Sequence, residues 1–201
     1  FGKNTSAGAL IMNSVAPTTD AVTLDYDVSA GNYGKQMMRG AANLPLNEDL
    51  AIRVAGLWGQ QDGFIEDPNG GDYNERAPRA LKAHLLYEPS DTFSAQIIAD
   101  WSDESNNCCY GQVDVVDGPL QGFIDTILIP ARGLEAPSAD FEDYEQVLSG
   151  KTDQNIEDQG VVLKMRWELP SGNVLNSVTS YRDWSISQWN MDADFTGATI
   201  L

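Results

Sequence analysis

Few residues in this chain have chemistry within reach: two adjacent cysteines, one histidine and a long acidic segment. Cys108 and Cys109 are the only cysteines, and an oxidising compartment would pair them. A bond between neighbours is strained, because consecutive Cα atoms stand only about 3.8 Å apart, below the usual disulfide range. Such a bond would make a rigid kink; the alternative is pairing with cysteines outside these residues. Two thiols with no nearby histidine fall short of zinc's usual donor set. His84 is the lone histidine. Metal capture, pH sensing and a plain hydrogen-bonded wall position are its possible roles. With one imidazole and no activated nucleophile or water-activating dyad, enzymatic chemistry has no anchor. No enzyme activity and no cofactor are expected.

From Asp103 to Asp158 the chain carries 13 acidic residues against Arg132 and Lys151, which is −11 of the net −18. This segment could repel anionic competitors, attract cationic ligands or share divalent ions with lipopolysaccharide; a merely solvated acidic surface is the plainer reading. It has no Asp-x-Asp-x-Asp calcium ladder, so no metal site is assigned. Aromatic and arginine side chains dominate recognition hot spots. Trp101, Tyr110, Arg132, Phe141 and Tyr144 are therefore the candidates for ligand contact, although such residues also order long loops.

The elements that must position these groups are strands. Val22, Leu24, Tyr26 and Val28 alternate with Thr23, Asp25, Asp27 and Ser29, the period-two pattern of a half-buried strand. The same alternation recurs around Met38, Ile52, Ala83, Ile97 and Leu163, and a seventh strand runs from Val174 to about Trp184 with no face assignable from parity. Tight connections at Pro45–Asp49, Pro89–Asp91 and Pro170–Gly172 alternate with long ones near 60–79 and 103–158. Outer-membrane barrels place short turns at one end and long loops at the other in this way. Trp58 and Trp101 end strands at the long-loop side, while Tyr87, Phe93 and Trp167 lie at the short-turn side. All five share the apolar face, as two aromatic girdles at lipid interfaces would. The opposite face carries Arg39, Arg53, Lys82, His84, Lys164 and Arg166, which would line a lumen.

Composition sets the outer bounds. A pI near 4.1 argues against a nucleic-acid binder, which needs a basic face. No apolar run approaches the roughly 20 residues of a membrane-spanning helix. An odd set of seven strands cannot close in lipid, and the chain begins at Phe1 with no Met or secretory h-region. It is expected to be a piece of a larger barrel.

The opening FGKNTSAGALIMNSVAP resembles the end of the plug domain in TonB-dependent outer-membrane receptors, with Gly2, Lys3, Asn4 and Thr5 matching a Gly-Arg/Lys-Asn-Thr stretch. The resemblance continues in GNYGKQMMRGAANLPLNEDLAIRVAGLWGQQDGFI, in LLYEPSDTFSAQIIADWSDE and in LNSVTSYRDW, in the family's order. Leu10 to Ser14 depart modestly from the family's usual continuation. The resemblance implies an all-β, antiparallel up-and-down transmembrane β-barrel of roughly 22 strands around a plug. Residues 1–17 would be the plug's C-terminal end and 18–201 the N-terminal portion of the barrel. It implies active uptake of a scarce ligand (a siderophore-iron complex or another large nutrient) across a Gram-negative outer membrane. The partners would be TonB, engaged through a segment preceding Phe1, and lipid and lipopolysaccharide. A secreted soluble β-sandwich that binds glycans and an outer-membrane barrel enzyme are the competing readings.

Overall fold

The computed structural model describes residues 13–107, 118–138, 140–149 and 153–188. Cys108, Cys109, Tyr110 and the Gly2–Thr5 stretch lie outside the described residues. Seven long strands form one sheet: β1 Thr23–Ala30, β2 Gln36–Pro45, β3 Leu50–Gln60, β6 Arg76–Ser90, β7 Phe93–Asn106, β8 Gln154–Glu168 and β9 Val174–Gln188. Their spatial order follows the chain, β1-β2-β3-β6-β7-β8-β9, and every neighbouring pair is antiparallel. A separate two-stranded hairpin, β4 Ile65–Glu66 and β5 Asp72–Tyr73, sits between β3 and β6. The protein is therefore all-β and antiparallel, and its sheet is open, with β1 and β9 as its edges.

Local chemistry explains the meander. Tyr33 and Gly34 both have positive φ, 57° and 59°, as a primed turn matching strand twist requires. Glycine meets this at no steric cost. At the opposite end Pro45 closes β2, and Asp91-Thr92 alone separate β6 from β7. Pro89 cannot donate to a ladder, and the β6–β7 register slips between Tyr87 and Ser90.

The strands overrun the sequence-based limits at the loop end. β6 begins at Arg76 and β7 runs to Asn106, while β8 starts at Gln154, so the long connections are 61–75 and 107–153 instead of 60–79 and 103–158. The reason is chemical. Here the apolar face turns polar, with Arg79 opposite Asp103 and Asp103 opposite Glu157. Backbone pairing continues after the hydrophobic alternation that marks a strand has stopped. The 107–153 connection also contains helical turns, Gln121–Phe123, Ile124–Leu128, Pro130–Arg132 and Phe141–Asp143.

Candidate functional site: a polar wall, its strap and its loop cap

Register sorts the side chains into two faces, since successive residues of a strand point to opposite sides. On one face Leu24, Tyr26, Met38, Val54, Trp58, Leu81, Tyr87, Ile97, Trp101, Val161 and Trp167 remain between 37% and 81% exposed. Trp101 lies opposite Leu81, Phe93 opposite Trp167, and Tyr87 opposite Leu50. Phe93 and Trp101 are eight positions apart, about 26 Å along a strand at roughly 3.3 Å per residue. At a tilt of about 40° that spans about 20 Å of height, near the roughly 25 Å apolar band of an outer-membrane barrel. Seven strands spaced by about 4.8 Å add a width of about 29 Å. The face so outlined measures about 26 Å by 29 Å, and Ser177 and Thr179 of β9 lie among its apolar members.

The other face holds the buried residues. Asn43, Ala51, Gly59, His84, Leu86, Ile98 and Asn106 are the buried positions of the seven long strands, and all lie on it. What cover the sheet has thus lies over its polar face, where Asp25, Arg39, Lys164, Arg166 and Arg182 nonetheless remain exposed. A strap formed by residues 14–21 accounts for part of that cover. Asn43, 1% exposed, accepts from the Thr18 amide at 3.0 Å and donates to the Thr18 and Ala21 carbonyls at 2.9 and 2.7 Å. Farther upstream Lys82 Nζ donates to Ser14 Oγ at 3.0 Å, and Pro17 is buried. The strap therefore runs from β6 across to β2 before β1 begins.

Several arginines on this face are ion-paired. Arg53 donates to Asp25 at 2.8 Å, and Arg166 pairs with Glu168. Arg182 on β9 donates to Asp158 at 2.6 Å and reaches Asp100 on β7 at 2.9 and 3.1 Å. His84 lies directly opposite Arg53 and Ile98, with Nε2 3.2 Å from Gln96 Oε1. Arg39 turns toward Met37, donating to its sulfur at 2.9 Å. All six positions expected to line a lumen share this face, together with Arg182, whose strand could not be oriented by parity. Pairing with β8 orients it: Arg182 faces Gly160, and Tyr181 faces Val161 on the apolar side.

At the loop end the two long connections interlock. Glu66 donates its amide to the Tyr144 carbonyl at 2.8 Å and accepts from the Gln146 amide at 2.9 Å. Asn69 and Glu135 exchange two bonds, at 2.7 and 3.0 Å. Ile65 and Tyr73 form a small core against Leu148. Tyr33 stacks edge-on to Phe64, ring centres 6.2 Å apart, which ties the β1–β2 turn to the same cap. Phe141 and Tyr144 share one turn and are each 56% exposed, and Arg132 closes the Pro130–Arg132 turn, also exposed. Trp101 stands apart from these three, on the apolar strand face. Asn43, Gln96, Glu66 and Asn69 were not singled out from sequence; polar residues at lumen-parity positions of apolar strands are the available signal for the first two.

Beside the cap an open cleft of about 450 Å³ is lined by Glu75, Ser105, Asp153, Asn155 and Ser187. Partial burial, and then the charges of Asp72, Asp153 and Asp62, push the Glu75 carboxyl above its ordinary value. Among the described residues no group of three or more His, Cys, Asp or Glu could hold a metal ion, and no helix is long and apolar enough to cross a membrane. Comparison with known proteins gives no match: no family model, no curated protein and no solved structure corresponds to the chain.

Proposed function

We propose that this chain is a section of a TonB-dependent outer-membrane receptor, combining the end of the plug with the first barrel strands, and serves active uptake of a scarce ligand. The observation that carries this reading is the half-exposed apolar face, bounded by aromatic residues, on the side of the sheet opposite the strap. Lipid is the solvent that suits such a face; water would drive it to collapse on itself. Edges in lipid must be paired, so β1 and β9 are each expected to pair with a further strand of the receptor. The strap supports the same reading, because a segment leaving a plug must cross the lumen wall to enter the first strand.

In this reading the interlocked loops face the cell exterior and meet the ligand, with Phe141, Tyr144 and Arg132 as their contact residues. Lipopolysaccharide surrounds the loop end, and TonB acts through a segment upstream of this chain. Ligand is moved and no bond is made or broken, so the work is binding and gating. A glycan-binding β-sandwich would need a second layer on the apolar face, and among the described residues none lies there.

Deletion of the full-length gene and growth on single nutrients tests the proposal. Loss of growth on one scarce nutrient, restored by the intact gene and abolished again without TonB, is expected. Unchanged growth and uptake on siderophore-iron and other large nutrients would contradict it.

A further inference from the structure

The cleft of about 450 Å³ beside the cap has the size of a small-ligand site and is built from hydrogen-bonding groups. Glu75 and Asp153 bring carboxylates, Gln154 and Asn155 amides, and Ser105 and Ser187 hydroxyls. Among the described residues no lysine, arginine or large apolar side chain lines it. Arg76, next to Glu75 in the chain, is taken by Glu104. Neither Glu75 nor Asp153 makes an ion pair among the described residues. Asn155 is fixed between two neighbours: it accepts from Ser105 Oγ at 3.1 Å and donates to Glu157 at 3.3 Å. Its carbonyl oxygen keeps a second lone pair, already oriented before any ligand arrives.

Register places this cleft. Ser105, Asn155 and Ser187 lie directly opposite one another on β7, β8 and β9. Ser105 follows Trp101 by four positions, so this row shares the outward, apolar face. Four positions cover about 13 Å of strand, or about 10 Å of height at a tilt of about 40°. Between the two levels lies a charged row in which Arg79 faces Asp103 and Asp103 faces Glu157. The polar headgroups of an ordinary bilayer add only about 5–8 Å per leaflet. With Trp101 at the interface, the cleft stands beyond phospholipid headgroups and level with the sugars of a glycolipid.

The lining selects the ligand. Two carboxylates with no base repel phosphate, and no apolar wall holds an acyl chain. A single ammonium would need the carboxylates alone. The amides and hydroxyls spread over three strands, about 10 Å, match a ring with several hydroxyls, which donate to the carboxylates and exchange bonds with the rest. Resting on the reading of the apolar face as lipid-facing, we propose that this cleft binds a hydroxyl-rich saccharide, with Glu75, Asp153 and Asn155 as its principal partners. A surrounding glycolipid and a free oligosaccharide present the same chemistry; the height of the cleft favours the glycolipid.

The test uses the full-length receptor, stripped of bound lipid in detergent, and calorimetry with two probes titrated separately. One is the dephosphorylated core oligosaccharide released from rough lipopolysaccharide; the other is maltoheptaose. Saturable binding of the core oligosaccharide is expected. Binding of maltoheptaose alone would keep the saccharide site and assign its source to free sugar. Asp153→Ala with Asn155→Ala should weaken binding at least tenfold. Ser187→Trp, which fills the cleft and leaves its other groups in place, should do the same. Binding of neither probe overturns the site, as does undiminished binding in both folded variants. Failure in a receptor that still needs detergent removes the saccharide site alone; a receptor folded and monomeric without detergent removes the lipid-facing reading itself.

Discussion

Arg182 reaches Asp100 two strands away, and it does so by lying across Gly160. A Cβ at Gly160 would stand 3.1 Å from Arg182 Nη2 and 3.2 Å from the Tyr181 carbonyl. The guanidinium bonds two carboxylates, Asp158 through Nη1 and Asp100 through Nη2, which links β7, β8 and β9 on the polar face. Because the arginine is about half exposed, Arg182→Ala should cost no more than about 1 kcal/mol. Gly160→Val should cost more, about 1–3 kcal/mol, since the Tyr181 carbonyl is backbone and cannot swing aside. Denaturant unfolding of the two variants in detergent checks the order; equal losses would refute it.

Asn43 holds the strap with three bonds from a fully buried position. Asn43→Ala removes all three and leaves strap groups unpaired, at about 1–3 kcal/mol for the buried set. Amide exchange at Thr18 should then accelerate by tenfold or more. Ser14→Ala, which removes a single exposed bond, should leave the Thr18 amide unchanged.

Gly63 is packed against the cap hairpin: a Cβ there would meet the Tyr73 carbonyl at 2.4 Å. Gly63→Ala should therefore unseat β4–β5 and the Leu148 amide, which donates to Tyr73 Oη. The sheet should be unaffected. Limited proteolysis should show faster cleavage in 61–75 and 140–149 with an unchanged unfolding midpoint of the strands.

Glu75 gives the cap a pH dependence whose sign follows from its raised pKa. Folding disfavours its charged form, so the penalty is largest above the folded-state pKa. It is relieved as pH falls through that value and is absent below the ordinary carboxyl value. Mild acidification from neutrality should raise the protection of the Glu75 amide, measured against its intrinsic exchange rate at each pH; that amide is bonded to Asn107 Oδ1 at 2.7 Å. Glu75→Gln should show the raised protection already at neutral pH, with no further rise on acidification.

Much of the sheet was legible in the sequence, because period-two alternation and Pro/Asp/Gly turns are local signals. Its loop-end extension was not, since Arg79, Asp103 and Glu157 interrupt the apolar pattern while backbone bonds carry on. The orientation of β9 was equally hidden. Val178, Trp184 and Ile186 fall on the polar face and Leu175 and Tyr181 on the other, so only register against β8 decides. The Asn43–Thr18 clamp joins residues 25 positions apart and leaves no periodic trace.

The face that carries the membrane reading can be probed directly. Single-tryptophan variants of the full-length protein retaining Trp101 or Trp167 would be reconstituted with lipids brominated near the headgroup or deep in the chain. Both tryptophans should be quenched most strongly by the shallow bromines, from opposite leaflets, as residues at the two ends of a lipid-facing band. A protein folded without detergent, whose Trp101 and Trp167 are quenched by neither lipid, would contradict the account.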